Sequence, residues 1–269
     1  MKFNINKAVK ESIKNIIPYV PGKPVEEVKR ELKLKDVVKL ASNENPLGPS
    51  KKAVKAMQKA LENINFYPES SVYYLREKLA KHLKVKPENL IFGNGSNELE
   101  QLIAEAFAGP GDEILFSALS FVVYPIVTNI AGASAVQVPH KNFEHDIDGF
   151  ISRLSKKTKI VFLCNPNNPT GTIIKKDDFE RFMKKVNSNT LVVLDEAYFE
   201  YAKSKEYPSG LNYIKKYENL IVLRTFSKVY GLAGARVGYG VCLPKIAEII
   251  DRVRPVSYTH LTLPTKRIV

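Results

Sequence analysis

Between residues 90 and 241, short apolar runs recur at 90–92, 113–116, 135–138, 160–163, 191–194, 220–223 and 237–241. Helical spacing fills most of the intervals, as with Leu99, Leu102, Ile103, Ala106 and Phe107. Compact apolar runs of this length read as strands buried on both faces, and the helices between them supply the crossovers that parallel pairing needs. The alternation therefore predicts an α/β domain built on a mostly parallel seven-stranded sheet between helices.

Ahead of this domain, residues 1–45 read as an arm. Pro18, Pro21 and Pro24 break it, a short amphipathic helix covers residues 25–34, and K-L-A-S-N-E-N-P-L-G-P leads out through a turn-rich segment. Two helical patterns follow. The first, over 51–63, aligns Val54, Met57 and Leu61; the second, over 71–84, has Ser70 or Ser71 as its expected cap. After a helix from Pro244 to Val253 come Arg254 and Pro255, and the last fourteen residues then show neither helical periodicity nor a clean strand. The expected division is an arm at 1–45, a folded domain at 46–255 and a foreign tail at 256–269.

Composition narrows the function class. With 269 residues, 44% of them hydrophobic and 26% charged, the chain is ordinary globular material. The net charge of +13 is spread along helices with glutamates interleaved, as in K-P-V-E-E-V-K-R-E-L-K, which argues for a solvated surface over a nucleic-acid face. No apolar run is long enough to span a bilayer, and the first residues carry no apolar leader. Cys164 and Cys242 have neither disulfide nor metal spacing, and His82, His140, His145 and His260 show no ligand spacing. The expectation is a soluble cytoplasmic protein without a metal.

Five features fall in loops that follow predicted strands, where open α/β sheets bind ligands. G-N-G-S-N-E after 90–92 supplies close backbone at Gly93 and Gly95 and a helix start at Ser96 or Asn97, suited to a phosphate. Phe121 in S-A-L-S-F-V-V-Y-P can cover a flat ring, or it can be a core residue. C-N-P-N-N-P-T-G forms a rigid turn that fixes where Asn168 points. L-V-V-L-D-E-A-Y ends in an acid pair: Asp195 at the strand terminus needs a partner, and Tyr198 can reach the same ligand. T-F-S-K-V-Y-G-L-A-G-A-R places Lys228 between the hydroxyls of Thr225 and Ser227 and the cation of Arg236. Alone, Lys228 reads as a solvated lysine in a Lys-rich chain. Together the five supply a Schiff-base amine, an acid for a ring nitrogen and a phosphate cup, the groups of a pyridoxal phosphate site.

N-P-N-N-P-T-G, D-E-A-Y and T-F-S-K with its following arginine resemble the fold-type I, class I/II aminotransferases. K-L-A-S-N-E-N-P-L-G-P and F-Y-P-E-S are similar to the histidinol-phosphate aminotransferase branch of that family. The resemblance runs from about residue 15 to Pro255. It implies the large pyridoxal 5'-phosphate-binding domain, with Lys228 as the Schiff-base lysine and proton shuttle, Asp195 on the pyridine nitrogen and Phe121 on the ring. It implies Tyr198 and Asn168 on the ring oxygen. Gly95, Ser96, Asn97, Thr225, Ser227 and Arg236 would hold the phosphate, and Tyr67 would reach the phosphate of a neighbouring subunit in a homodimer. The implied reaction is amino transfer between histidinol phosphate and 2-oxoglutarate in histidine biosynthesis.

Two other activities share these motifs: aromatic amino-acid aminotransferase and threonine-phosphate decarboxylase. The family carries a smaller C-terminal domain with substrate-binding arginines, whereas residues 256–269 resemble a translated sequencing adapter. The expectation is a C-terminally truncated chain that keeps the cofactor site and is poorly stable and weakly active or inactive. A non-catalytic fragment that only binds the cofactor is the reading from another class.

Overall fold

A computed structural model describes residues 2–14, 16–19 and 22–255. Pro21 and the expected tail at 256–269 lie outside the described residues. The strands are β1 (Leu90–Gly93), β2 (Glu113–Ser117), β3 (Ser134–Val138), β4 (His140–Lys141), β5 (Glu144–His145), β6 (Thr158–Cys164), β7 (Leu191–Asp195), β8 (Leu220–Thr225) and β9 (Gly238–Val241). The helices are α1 (Ile5–Ala8), α2 (Glu11–Lys14), α3 (Val25–Leu32), α4 (Lys51–Ala60), α5 (Tyr73–Leu83), α6 (Ser96–Phe107), α7 (Val123–Ala131), α8 (Ile147–Arg153), α9 (Lys176–Met183) and α10 (Pro244–Val253).

The seven predicted strands form one sheet in the order β1-β9-β8-β7-β6-β2-β3. Pairing is parallel throughout, except that β9 runs antiparallel to both β8 and β1. The small β4–β5 ribbon stands apart from it. Alternate residues supply opposite faces. Ile91, Val193, Ile221 and Leu223 pack with Leu99, Ile103 and Tyr124 of α6 and α7 and with Ile250 of α10. Val192, Leu194, Leu220 and Val222 pack with Phe150, Phe179 and Phe182 of α8 and α9. Leu90, Phe92 and Val241 meet α4 and α5 through Ala53, Leu75 and Leu79. Each large aliphatic side chain buried this way contributes roughly 1.5–3 kcal/mol.

Several local expectations change. β3 is an edge strand with only Val138 fully buried, because no strand covers its outer side. Neither Ser70 nor Ser71 caps α5; Val72 holds that position in the left-handed region at φ 53°, and the Ser71 hydroxyl turns to Glu69 instead. The helix expected to reach Leu34 stops at Leu32, where Lys33 turns left-handed. α6 begins after Gly95, at φ 78°, so Ser96 and Asn97 lie inside its first turn and neither is the cap. The arm carries α1, α2 and α3 with no buried residue in any of them.

Candidate active site

Parallel pairing sets the carboxyl ends of β6, β7 and β8 side by side: Cys164 is in register with Asp195, and Asp195 with Leu223. A cavity of ≈ 380 Å³ opens above these ends, a size that suits a small ligand. Gly95, Ser96, Asn97, Phe121, Asn168, Asp195, Tyr198, Thr225, Ser227, Lys228 and Arg236 all line it. Of the residues expected from sequence, Tyr67 alone does not; it is 88% exposed.

One end is built for an anion. Free backbone N–H groups at the start of α6 face this end with the positive pole of the helix. Ser227 and Thr225 are buried and hydrogen-bonded to each other, with 3.0 Å between their oxygens. The Arg236 guanidinium donates to the Asn94 carbonyl at 2.9 Å, the Ala233 carbonyl at 3.1 Å and Ser227 Oγ at 3.4 Å. These acceptors are neutral oxygens, and no carboxylate pairs with Arg236 among the described residues. Glycine permits this crowding: a Cβ on Gly95 would stand 2.7 Å from Arg236 Nη2, at a φ of +78° that other residues resist.

The opposite end is acidic and buried. Asp195 is 2% exposed. Its Oδ2 accepts from the Tyr124 hydroxyl at 2.9 Å and its Oδ1 from the Ala197 N–H at 3.1 Å. Burial raises its proton affinity, while these donors, Glu100 and the Lys228 charge pull it back down. The neighbouring acid has a different task. Glu196 is fully buried and pairs with Arg224 through Nε and Nη2 at 2.9 and 2.7 Å, while Gly210 N–H and Tyr207 supply its other oxygen. Arg224 also lies 3.6 Å above the Phe199 ring. Of the acid pair, one carboxylate thus serves the cavity and the other locks the core.

Lys228 stands between the two ends. Its Nζ donates to the Ser42 carbonyl at 3.3 Å and lies 5.3 Å from the Tyr198 ring centre. Burial lowers its proton affinity, Asp195 opposes that, and Arg236 adds to it. Tyr198 accepts from Asn43 Nδ2 at 2.9 Å. Burial pushes the phenol up to about 12 despite Asn43, so it stays protonated as a donor. Phe121 meets Tyr124 edge-on at 5.9 Å while its side borders the cavity.

The rigid turn is braced by side chains that sequence alone did not separate. Asn165 bonds the Ile174 N–H at 2.9 Å. Asn167 accepts from Ser120 at 2.8 Å and donates to the Leu119 carbonyl at 3.0 Å and to Thr170 at 2.8 Å. Asn168 makes no side-chain bond of its own among the described residues and is left facing the cavity. Sequence reasoning missed Ser42, Glu44, Cys164, Ala197, Ala233 and Gly234 in the wall, and Tyr124 behind Asp195. The arm residues had a signal, since S-N-E-N is turn-forming: Ser42 and Asn43 take φ of 70° and 51°. Only the fold says that this turn sits over Lys228.

This donor set fits pyridoxal phosphate. A cation without a carboxylate partner, two hydroxyls and a helix start suit the phosphate, a buried acid suits the ring nitrogen, and a lysine of reduced proton affinity stands between them. Among the described residues no cluster of three metal-ligating side chains occurs, and no helix is long and apolar enough to cross a membrane.

Comparison with known proteins gives the same direction. The sequence model of aminotransferase class I and II matches residues 35–268. A histidinol-phosphate aminotransferase of Moorella thermoacetica is 51% identical over 246 residues, which are 91% of this chain and 64% of that protein. One from Caldicellulosiruptor saccharolyticus is 48% identical, over 91% of this chain and 69% of its own length. This chain thus spans about two thirds of the length of these relatives, and less than that for the Moorella protein. Among solved structures, a histidinol-phosphate aminotransferase from Sinorhizobium meliloti in complex with pyridoxal-5'-phosphate superposes with a TM-score of 0.86 at 28% identity, covering 97% of this chain and 70% of its own. By sequence and by fold, the chain belongs to the class I and II aminotransferase family.

Proposed function

We propose that this chain carries the cofactor site of a pyridoxal phosphate-dependent aminotransferase that moves an amino group between histidinol phosphate and 2-oxoglutarate, in histidine biosynthesis. The observation that carries the reading is the convergence on one cavity of Asp195, at the end of β7, with Lys228 and Arg236, from the connection between β8 and β9. The names of the Moorella and Caldicellulosiruptor relatives support the amino donor.

When bound, pyridoxal phosphate supplies the electron sink that makes a C–H bond next to an amino group acidic. The chain's own groups do the rest. Arg236, Ser227, Thr225 and the N–H groups of α6 hold the phosphate and fix orientation. Asp195, supported by Tyr124 and Ala197, holds a proton at the ring nitrogen. Lys228 Nζ, its proton affinity lowered by burial, would be the amine that holds the cofactor and the base that moves a proton within the cavity. Tyr198 and Asn168 would donate to the ring oxygen, and Phe121 would cover the ring; all three line the cavity. Residues 46–255 form the cofactor-binding domain, with the end of the arm at 42–45 as part of the wall. Tyr67, with Ile64, Phe66, Tyr73 and Tyr74, exposes apolar surface suited to a second copy of the chain, and in such a pair Tyr67 would reach toward that copy's phosphate. Two free, buried thiols fit a cytoplasmic setting.

The test is borohydride reduction after incubation with pyridoxal phosphate, followed by peptide mass mapping, together with turnover of histidinol phosphate. The expected result is a modified Lys228 in the parent and none in Lys228→Ala, with turnover lost. A modified Lys228 without turnover of any amino donor leaves a cofactor-binding protein. Full activity in Lys228→Ala overturns the reading.

A further inference from the structure

We propose that Glu100 and Asp195 form a buried carboxyl pair holding a single proton, with Glu100 carrying that proton and donating it to Asp195, so that Glu100 is a positioning residue that keeps Asp195 an anion. The role toward a cofactor ring nitrogen rests on the function proposed above; the place of the proton does not.

Glu100 lies in the second turn of α6, 0% exposed. Neither of its carboxyl oxygens receives a hydrogen bond from a donor group among the described residues, and no cation pairs with it there. An ionised carboxylate so placed would be stripped of water with nothing in return. Asp195 is buried too, but it already accepts from the Tyr124 hydroxyl and the Ala197 N–H and feels the Lys228 charge. Donors favour the charged form of the carboxyl that receives them. Two adjoining buried carboxyls cannot both ionise at low cost, and this asymmetry assigns the anion to Asp195 and the proton to Glu100.

The two carboxyls act on each other by charge and by hydrogen bonding. Burial, then Asp195, pushes the Glu100 carboxyl well above the usual range. The other titratable groups at this point are Tyr124 of α7 and Cys164 of β6, both raised by burial and so neutral, and Lys228 beyond Asp195. The remaining elements packed on α6 add no partner. β1 has no charged residue, and Arg224 of β8 and Tyr239 of β9 interact with each other and, through Arg224, with Glu196. On α10, Glu248 pairs with Arg252 and Asp251 with Arg254. Glu98 and Glu105 of α6 itself accept from Asn94 N–H and Gln101.

The test uses the full chain as parent, E100Q, E100L and E100M. The first measurement is denaturant unfolding without cofactor from pH 5 to pH 8. An acid whose folded-state pKa is raised binds more protons folded than unfolded, so its stability contribution falls as pH rises above the ordinary carboxyl range. The folding constant of the parent should fall relative to E100Q by up to about tenfold per pH unit. Parallel pH dependence in the two chains overturns the proposal. The second measurement is the pH titration of the absorbance of bound pyridoxal phosphate. E100Q, which keeps an N–H donor for Asp195, should titrate like the parent, while E100L and E100M should both shift. Identical behaviour of E100Q and the two apolar variants removes the donor role. If the parent takes up no pyridoxal phosphate, the proposed function fails, and the unfolding data still decide where the proton sits.

Discussion

The hydroxyl of Tyr124 donates to Oδ2 of Asp195 at 2.9 Å, joining the first turn of α7 to the end of β7 across 71 positions of sequence. Tyr124 is fully buried, stacked on Phe162 at 4.8 Å, so its hydroxyl has a fixed direction. The bond ties the acid at the floor of the cavity to a ring that cannot move without disturbing the core.

Tyr124→Phe keeps the ring and deletes the donor. Asp195 then depends on Ala197 and Glu100, and its hold on a proton rises. We expect a loss of about 1–3 kcal/mol in urea unfolding at pH 7, and weaker uptake of pyridoxal phosphate by fluorescence titration.

Arg236→Gln should separate pyridoxal phosphate from pyridoxal. The guanidinium has no carboxylate partner among the described residues, so its loss falls on the bound phosphate: about 1.5–3 kcal/mol for a charged hydrogen bond. Affinity for the phosphate form should drop at least tenfold, with affinity for pyridoxal little changed. Gly95→Ala should act on the same contact, because its Cβ would meet Arg236 Nη2 at 2.7 Å.

Arg224→Met tests the structural half of the acid pair. It leaves Glu196 charged in the core beside Tyr207 and Gly210, a change that costs about 3–5 kcal/mol when one partner of a buried pair is removed. Thermal unfolding should show a large fall in Tm. Arg224→Met with Glu196→Gln should recover part of it.

Lys228→Met makes a prediction with a definite sign in pH. A lysine whose folded-state pKa is lowered binds fewer protons folded than unfolded, so its contribution to stability improves as pH rises toward 10.5. Relative to the parent, Lys228→Met should therefore be most favoured near pH 7 and lose that advantage by pH 10. The check is urea midpoints across that range, without cofactor.

Much of the site is legible in order along the chain, because its pieces are local. The seven strands announce themselves by apolar runs. The loops after β1, β6 and β8 carry Gly95, Asn168 and Lys228, and β7 ends on Asp195; a mostly parallel sheet brings these strand ends to one edge. Caps are less legible: Ser70, Ser71, Ser96 and Asn97 are all plausible by type, and backbone direction chose Val72 and Gly95 instead.

What the amino-acid order determined by itself is therefore the set of strands, their crossovers and the residue types set at the cavity rim, since these follow from side-chain period and turn chemistry within a few residues. What only the tertiary structure decided is how neighbours in sequence divide their work. Asp195 serves the cavity and Glu196 the core because Arg224, 28 residues on, occupies one side only. Tyr124 and Glu100 stand behind Asp195, and Ser42 and Asn43 close over Lys228 and Tyr198, because helices and an arm remote in sequence pack there. β9 reverses direction for the same kind of reason: pairing partners are chosen by long-range packing, which no local pattern encodes.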